Sequence, residues 1–322
     1  MAGAFAWLLS ERVTMTTPYA IAIHGGAGVL PRNAMSAERE AQTHEALERV
    51  LNAGERVLAD NGSALDAVTA AVCALEDEPL FNAGRGAVFT REGRHEMDAA
   101  VMEGLERQAG AIAGICGPKN PVLLARAVLE QSPHVLLTGD GALALAREVG
   151  LAFEPKSYFY TEERWQSLQQ TLALEASGAL DNDPSRRHGT VGAVARDRSG
   201  TLAAATSTGG MTAKNKGRVG DSPVIGAGTY AENASCAISA TGDGEVFLRL
   251  CVAHEIAARV RLAGVSLEDA AKDVVLSDLK ALGGSGGLIA VGANGEITMP
   301  FNCEGMYRSS ATESGSRQTL IY

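Results

Sequence analysis

Few residues in this chain pair a reactive side chain with a setting that could use it, and Thr190 is the first. It follows Gly189, opens a run of small and β-branched residues (190–196), and is preceded by a polar, aperiodic stretch (176–188). A chain severed between Gly189 and Thr190 would leave a threonine whose free α-amine lies beside its own hydroxyl. Such an amine activates a weak nucleophile. Arg218 and Asp221 stand three apart in a glycine-flanked loop. One offers a planar donor fork suited to a carboxylate, the other an acceptor suited to an ammonium, so together they could hold an α-amino acid head group. An internal Arg–Asp salt bridge explains the same spacing equally well. Thr241-Gly242 lies between a strand-like run and a helix expected from Glu245, where hydroxyl and N–H groups could face a developing oxyanion.

Competing chemistries are weaker. His24-Gly-Gly-Ala-Gly28 resembles an esterase oxyanion loop, and Gly283-Gly-Ser-Gly-Gly287 fits G-x-S-x-G. That fold needs a histidine after the serine, and the six histidines, 24, 44, 95, 134, 188 and 254, all precede Ser285. No phosphate-binding glycine motif sits in the required strand–turn–helix order, and no His, Cys and carboxylate cluster has transition-metal spacing. A lone histidine at a strand end, such as His24, is more often a structural hydrogen-bonder. Asp181 and Asp183 read as solvated linker residues.

The elements that must position these groups follow from periodicity and punctuation. Residues 190–196 and 201–207 around a Ser-Gly turn predict a hairpin. Residues 19–23 predict a buried strand ending at the 24–28 glycine cluster. Ser36 and Ser63 are N-caps for helices reaching Asn61 and about Glu78. Extended segments are expected at 87–90, 96–102, 108–115, 134–138, 224–228, 235–240, 288–291 and 297–300. Further helices are expected at 120–131, 142–149, 161–175, 245–262 and 267–282. Clustered strands with helices between them favour layered sheets under helices over a strict βαβ repeat.

The totals bound the answer. At 322 residues and 46% apolar content, the chain can bury a large core. A net charge of −10 with no basic stripe argues against nucleic acid or anionic membrane as partners. Five scattered cysteines without a C-x-x-C pair read as reduced thiols in a cytoplasmic protein. Residues 1–18 read as a disordered leader, with Met15 a possible alternative start and an apolar run too short to span a bilayer.

The same residues carry a family resemblance. HGGAG (24–28), PLFNAGRGAVFT (79–90), HEMDAAVM (95–102), HGTVGAVARD (188–197), ATSTGGMT (205–212), GRVGDSPVIGAGTYA (217–231), TGDGEVF (241–247), ALGGSGG (281–287) and FNCEGMYR (301–308) occur in order. In this the chain resembles the plant-type asparaginases, or isoaspartyl peptidases, of the N-terminal-nucleophile hydrolases, from about Ile21 to Tyr307. The resemblance implies an α+β fold, a four-layer αββα sandwich, as a single domain over 19–322. It implies self-cleavage at Gly189–Thr190 into an α chain (1–189) and a β chain (190–322), the linker at about 176–189 moving aside. Thr190 would be the nucleophile and its α-amine the base, with Thr208 and Asn82 in support. Arg218, Asp221 and Gly244 would bind substrate, and Thr241 and Gly242 would form the oxyanion hole. The substrates implied are isoaspartyl dipeptides and L-asparagine, with a glycosylated asparagine as the alternative; an uncleaved binding protein is the reading outside enzymology. No organic cofactor is implied. A structural sodium or potassium ion is, on the backbone carbonyls of Leu75, Glu76, Glu78, Phe81, Ala83 and Arg85. An (αβ)2 assembly is implied too. Cys303 stands where the family pattern has threonine.

Overall fold

The computed structural model describes residues 17–28, 35–178 and 189–322. Most of the leader and residues 179–188 of the linker, with Asp181, Asp183 and His188, lie outside the described residues. Thr17 and Pro18, counted with the leader, are tied down: the Thr17 N–H donates to the Arg198 carbonyl at 3.1 Å and Arg196 Nη1 to the Pro18 carbonyl at 2.9 Å.

Two sheets stack face to face, with helices outside each, giving the expected mixed α+β sandwich. The larger sheet has the order β12 (Arg317–Leu320), β11 (Gly305–Thr312), β1 (Ala20–Gly28), β5 (Thr190–Arg196), β6 (Leu202–Thr208), β2 (Met97–Glu103), β3 (Ala109–Ile115), β4 (Leu136–Thr138). The smaller runs β10 (Ile297–Thr298), β9 (Gly286–Gly292), β8 (Cys236–Gly242), β7 (Thr229–Ala231). Strand alternation divides the core. Ile21 and Ile23 of β1 face α1 (Ala37–Ala59), α2 (Ala64–Asp77) and α3 (Pro121–Gln131), while Ala20 and Ala22 pack against the smaller sheet. The inter-sheet layer uses Ala20, Ala22, Val194 and Ala204 from the large sheet against Ala237, Ile289 and Val291. Small side chains on one face let the sheets approach. Beyond the smaller sheet lie α7 (Gly244–Leu250), α8 (Val252–Ala263) and α9 (Leu267–Asp273).

Both predicted serine caps form: the Ser36 hydroxyl accepts from Arg39 N and the Ser63 hydroxyl from Asp66 N, each at 3.1 Å. α4 (Gly139–Glu148) and α6 (Glu162–Ala176) fall where helices were expected, and α5 (Lys156–Phe159) adds one turn between them.

Several expectations are corrected. HGGAG continues β1, because β11 pairs with it as far as Gly28 while β5 reaches His24, with a bulge between His24 and Gly26. Residues 87–90 form no ladder beyond the Thr90–Lys214 bridge. Residues 224–228 form a turn: Val224 N and Gly228 N donate to the Asp221 carbonyl, and beyond the isolated Ile225–Thr229 bridge no ladder forms there among the described residues. The 245–262 helix breaks at Cys251 (φ +50°), where Ala253 N and His254 N turn to the carbonyls of Ala227 and Gly226. The 267–282 helix passes through a π turn at Val274–Asp278 before α10 (Leu279–Ala281). There the Val275 carbonyl accepts from Asn302 Nδ2 at 3.1 Å.

Candidate active site

The β5–β6 hairpin is closed by Asp197, whose Oδ1 accepts from Ser199 N at 2.9 Å and Thr201 N at 3.0 Å. This is the side-chain-capped turn that Asp favours. It sets a register that pairs Thr190 with Thr208 across the open end of the hairpin, and β2 separately places Asp98 opposite Thr208 on its other side. The Thr190 hydroxyl donates to Thr208 Oγ1 at 3.1 Å. Thr208 Oγ1 also accepts from Gly210 N at 2.9 Å and lies 3.5 Å from the Gly189 carbonyl oxygen. The Thr190 N–H points to Thr241 Oγ1 at 3.4 Å, which accepts from Ala27 N as well. Both threonine side chains are buried.

The bond before Thr190 is tightly held. Gly189 has φ +153°, and a Cβ there would stand 2.8 Å from the Asn82 Cβ; Gly26 (φ +113°) approaches the Gly189 Cα. Only glycine meets both conditions cheaply. Asn82 is committed to bracing: its Nδ2 donates to the Gly210 carbonyl at 2.8 Å and its Oδ1 accepts from Val88 N at 2.9 Å.

Gly189, Thr190, Thr208, Arg218, Asp221 and Gly242 share one cavity of about 10 Å³, the space of a single water. Asn82, Thr241 and Gly244 stand behind its wall. The same wall contains Gly210, Met211, Gly220 and Ser222, to which sequence reasoning gave no role although each lies inside a quoted motif. Gly244 matters by what it lacks, since a Cβ there would come within 2.9 Å of Asp221 Oδ1 and 3.0 Å of Arg218 Nη2.

Arg218 and Asp221 both reach the cavity, but they are not each other's ion pair. Arg218 is held by Glu245, through Nε and Nη2, each at 3.0 Å. Asp221 is buried with Oδ2 lacking a partner. Burial pushes its carboxyl up to about 7, against the opposing pull of Arg218 and with help from Glu245 and Asp98. An unpartnered buried acceptor of this kind is suited to a cationic group.

His24 acts structurally. It is fully buried, bonds Ser239 Oγ at 2.9 Å, and is driven down to about 3 by burial, so it stays neutral. Gly192 makes the room, because a Cβ there would overlap both partners. Sequence reasoning passed over Glu245 and Asp98, which contact or face the expected site residues; their only signal was membership of TGDGEVF and HEMDAAVM.

Comparison with known proteins gives the family. A family described as Asparaginase matches residues 17–321. The isoaspartyl peptidase of Salmonella typhimurium is 52% identical over 94% of this chain and 98% of its own length. The Escherichia coli isoaspartyl peptidase is 51% identical over 94% and 95%. The human isoaspartyl peptidase/L-asparaginase is 40% identical over 91% and 93%. With a match across nearly every described element and relatives at this identity, the chain belongs to the asparaginase family whose members include the isoaspartyl peptidases.

Proposed function

We propose that the chain is an autoprocessed threonine amidohydrolase that cleaves β-aspartyl amide bonds, in isoaspartyl dipeptides and L-asparagine, releasing L-aspartate. The observation that carries this reading is the convergence on one cavity of a threonine pair, Thr190 and Thr208, at a glycine-only junction, with a buried acceptor and a guanidinium. It is supported by relatives that are themselves isoaspartyl peptidases or isoaspartyl peptidase/L-asparaginases.

Maturation begins when Thr190 Oγ1 attacks the Gly189 carbonyl carbon. The hydroxyl proton passes to the amide nitrogen, the C–N bond breaks, and the resulting ester is hydrolysed by water. The freed α-amine, with a typical pKa of about 7.7–8, then takes the Thr190 hydroxyl proton in each turnover. Arg218 takes the substrate α-carboxylate and Asp221 its ammonium, placing the β-carbonyl at Thr190. Oγ1 attacks, and Thr241 with the Gly242 backbone stabilises the oxyanion. The tetrahedral adduct expels ammonia or an amino acid, which leaves with the amine's proton, and water releases L-aspartate from the acyl-enzyme.

On incubation the wild-type chain is expected to yield two fragments, the smaller beginning at Thr190, and Thr190→Ala to yield one band and no turnover. Fragments from Thr190→Ala would overturn the assignment. Faster hydrolysis of glycosylated asparagine than of a β-aspartyl dipeptide would move the substrate class.

The reading includes a structural alkali cation on the carbonyls of Leu75, Glu76, Glu78, Phe81, Ala83 and Arg85. Supporting it, Gly84 (φ +50°) folds the loop back until a Cβ would lie 2.3 Å from the Glu76 carbonyl oxygen. Neutral oxygens suit a weakly charged hard ion. Replacing sodium with choline should lower Tm; an unchanged Tm counts against the ion. An (αβ)2 assembly rests on the resemblance alone, and light scattering should give the mass of two 322-residue chains. A cytoplasmic location is supported by five unpaired cysteines, and cell fractionation checks it. Among the described residues no helix is long and apolar enough to cross a membrane.

A further inference from the structure

Arg218 is confined on two sides by glycine. A Cβ on Gly220 would lie 3.0 Å from Nη1, and one on Gly244 would lie 3.0 Å from Nη2. Contacts on both glycines fix where the guanidinium lies, but they do not fix its rotation within its own plane. Glu245 does that. It takes the Nε–Nη2 edge in a bidentate pair, and Nη1 makes no hydrogen bond among the described residues. The pair also forms a partition. Arg218 lines both the one-water cavity and an outer groove of about 310 Å³, whereas Glu245 lines only the groove.

We propose that Glu245 is a positioning residue: it holds Arg218 from outside by one edge, so that the other edge is presented to the substrate's α-carboxylate. This rests on the reading of Arg218 given above. The stability of the pair is not the issue, because the Glu245 side chain is 57% exposed and pairs of that exposure contribute little. Its effect is orientational, and guanidinium–carboxylate recognition depends on alignment of the fork. The opposite possibility is that Glu245 competes with substrate for Arg218. The two differ in sign.

The test uses the matured enzyme with a β-aspartyl dipeptide and with the same dipeptide amidated at the isoaspartyl α-carboxylate. Glu245→Ala is expected to raise KM for the free acid about tenfold or more, from lost alignment, with kcat within about threefold. KM for the amidated analogue should hardly move. Glu245→Gln keeps an acceptor for the guanidinium and should recover most of the loss; it also serves if the alanine variant fails to mature. A KM for the free acid that is unchanged or lower in both variants, while Arg218→Ala raises it, overturns the positioning role alone. An unchanged KM in Arg218→Ala overturns the reading of Arg218 and this inference with it.

Discussion

Asp221 is a carboxylic acid whose charge has no room. It is buried with one oxygen unpartnered, and its nearest guanidinium is engaged by Glu245. With the carboxyl raised from 3.8 to about 7, the folded chain holds a proton that the unfolded chain has released. Stability contributed here is therefore lost as pH rises from about 4 to about 7, and the penalty persists above that. In a Thr190→Ala background, which keeps the cavity shut, Asp221→Asn should leave stability nearly unchanged at pH 4. It should gain on the parent as pH approaches 8, by up to a few kcal/mol on the order of the shift. Urea denaturation of both proteins at the two pH values decides it, and a difference that does not change with pH would refute the buried-acid account. Spacing alone left the Arg218–Asp221 pair undecided between a head-group clamp and a salt bridge. Arginine's actual partner, Glu245, arrives through the β8–α7 connection, and no local pattern announces that.

The hairpin was legible because small and β-branched residues in two runs about a turn permit little else, and the serine-capped helices because capping is local chemistry. The C-terminal strands β11 and β12 were not. β11 buries Arg308, Ser309 and Ser310, so its sequence lacks a continuous apolar face, and it is pairing with β1 and β12 that makes it a strand. Because β11 pairs with β1 as far as Gly28, the glycine-rich end of β1 stays extended and brings Gly26 against Gly189. This constrains the scissile element. In Gly189→Ala the new Cβ meets the Asn82 Cβ at 2.8 Å, a contact close to the backbone on both sides, and φ +153° disfavours any side chain. The segment must shift, at a cost of about 1–3 kcal/mol. Self-cleavage should slow at least about tenfold while the protein still folds. A gel time course showing wild-type cleavage by a folded Gly189→Ala protein would remove the constraint from the account.

Cutting a chain near its middle usually risks separating two halves, and here the topology opposes it. β5 and β6, both after the cut, are inserted between β1 and β2, both before it, and β1 is itself held on its far side by β11. The core layers are shared in the same way: Ile21, Leu47 and Val68 pack in one cluster with Val191 and Ala205, and Ala20 and Met102 pack with Ile289 and Val291. Neither fragment has a closed sheet or a complete core alone, so separating them would expose edge strands and much of the apolar interior together. The matured protein should elute from a sizing column with both fragments in equal amounts and unfold in one transition. Its fragments should come apart only in denaturant. Two well-separated transitions, or release of the β5–β6 fragment under native conditions, would show that the interleaved strands do not couple the halves.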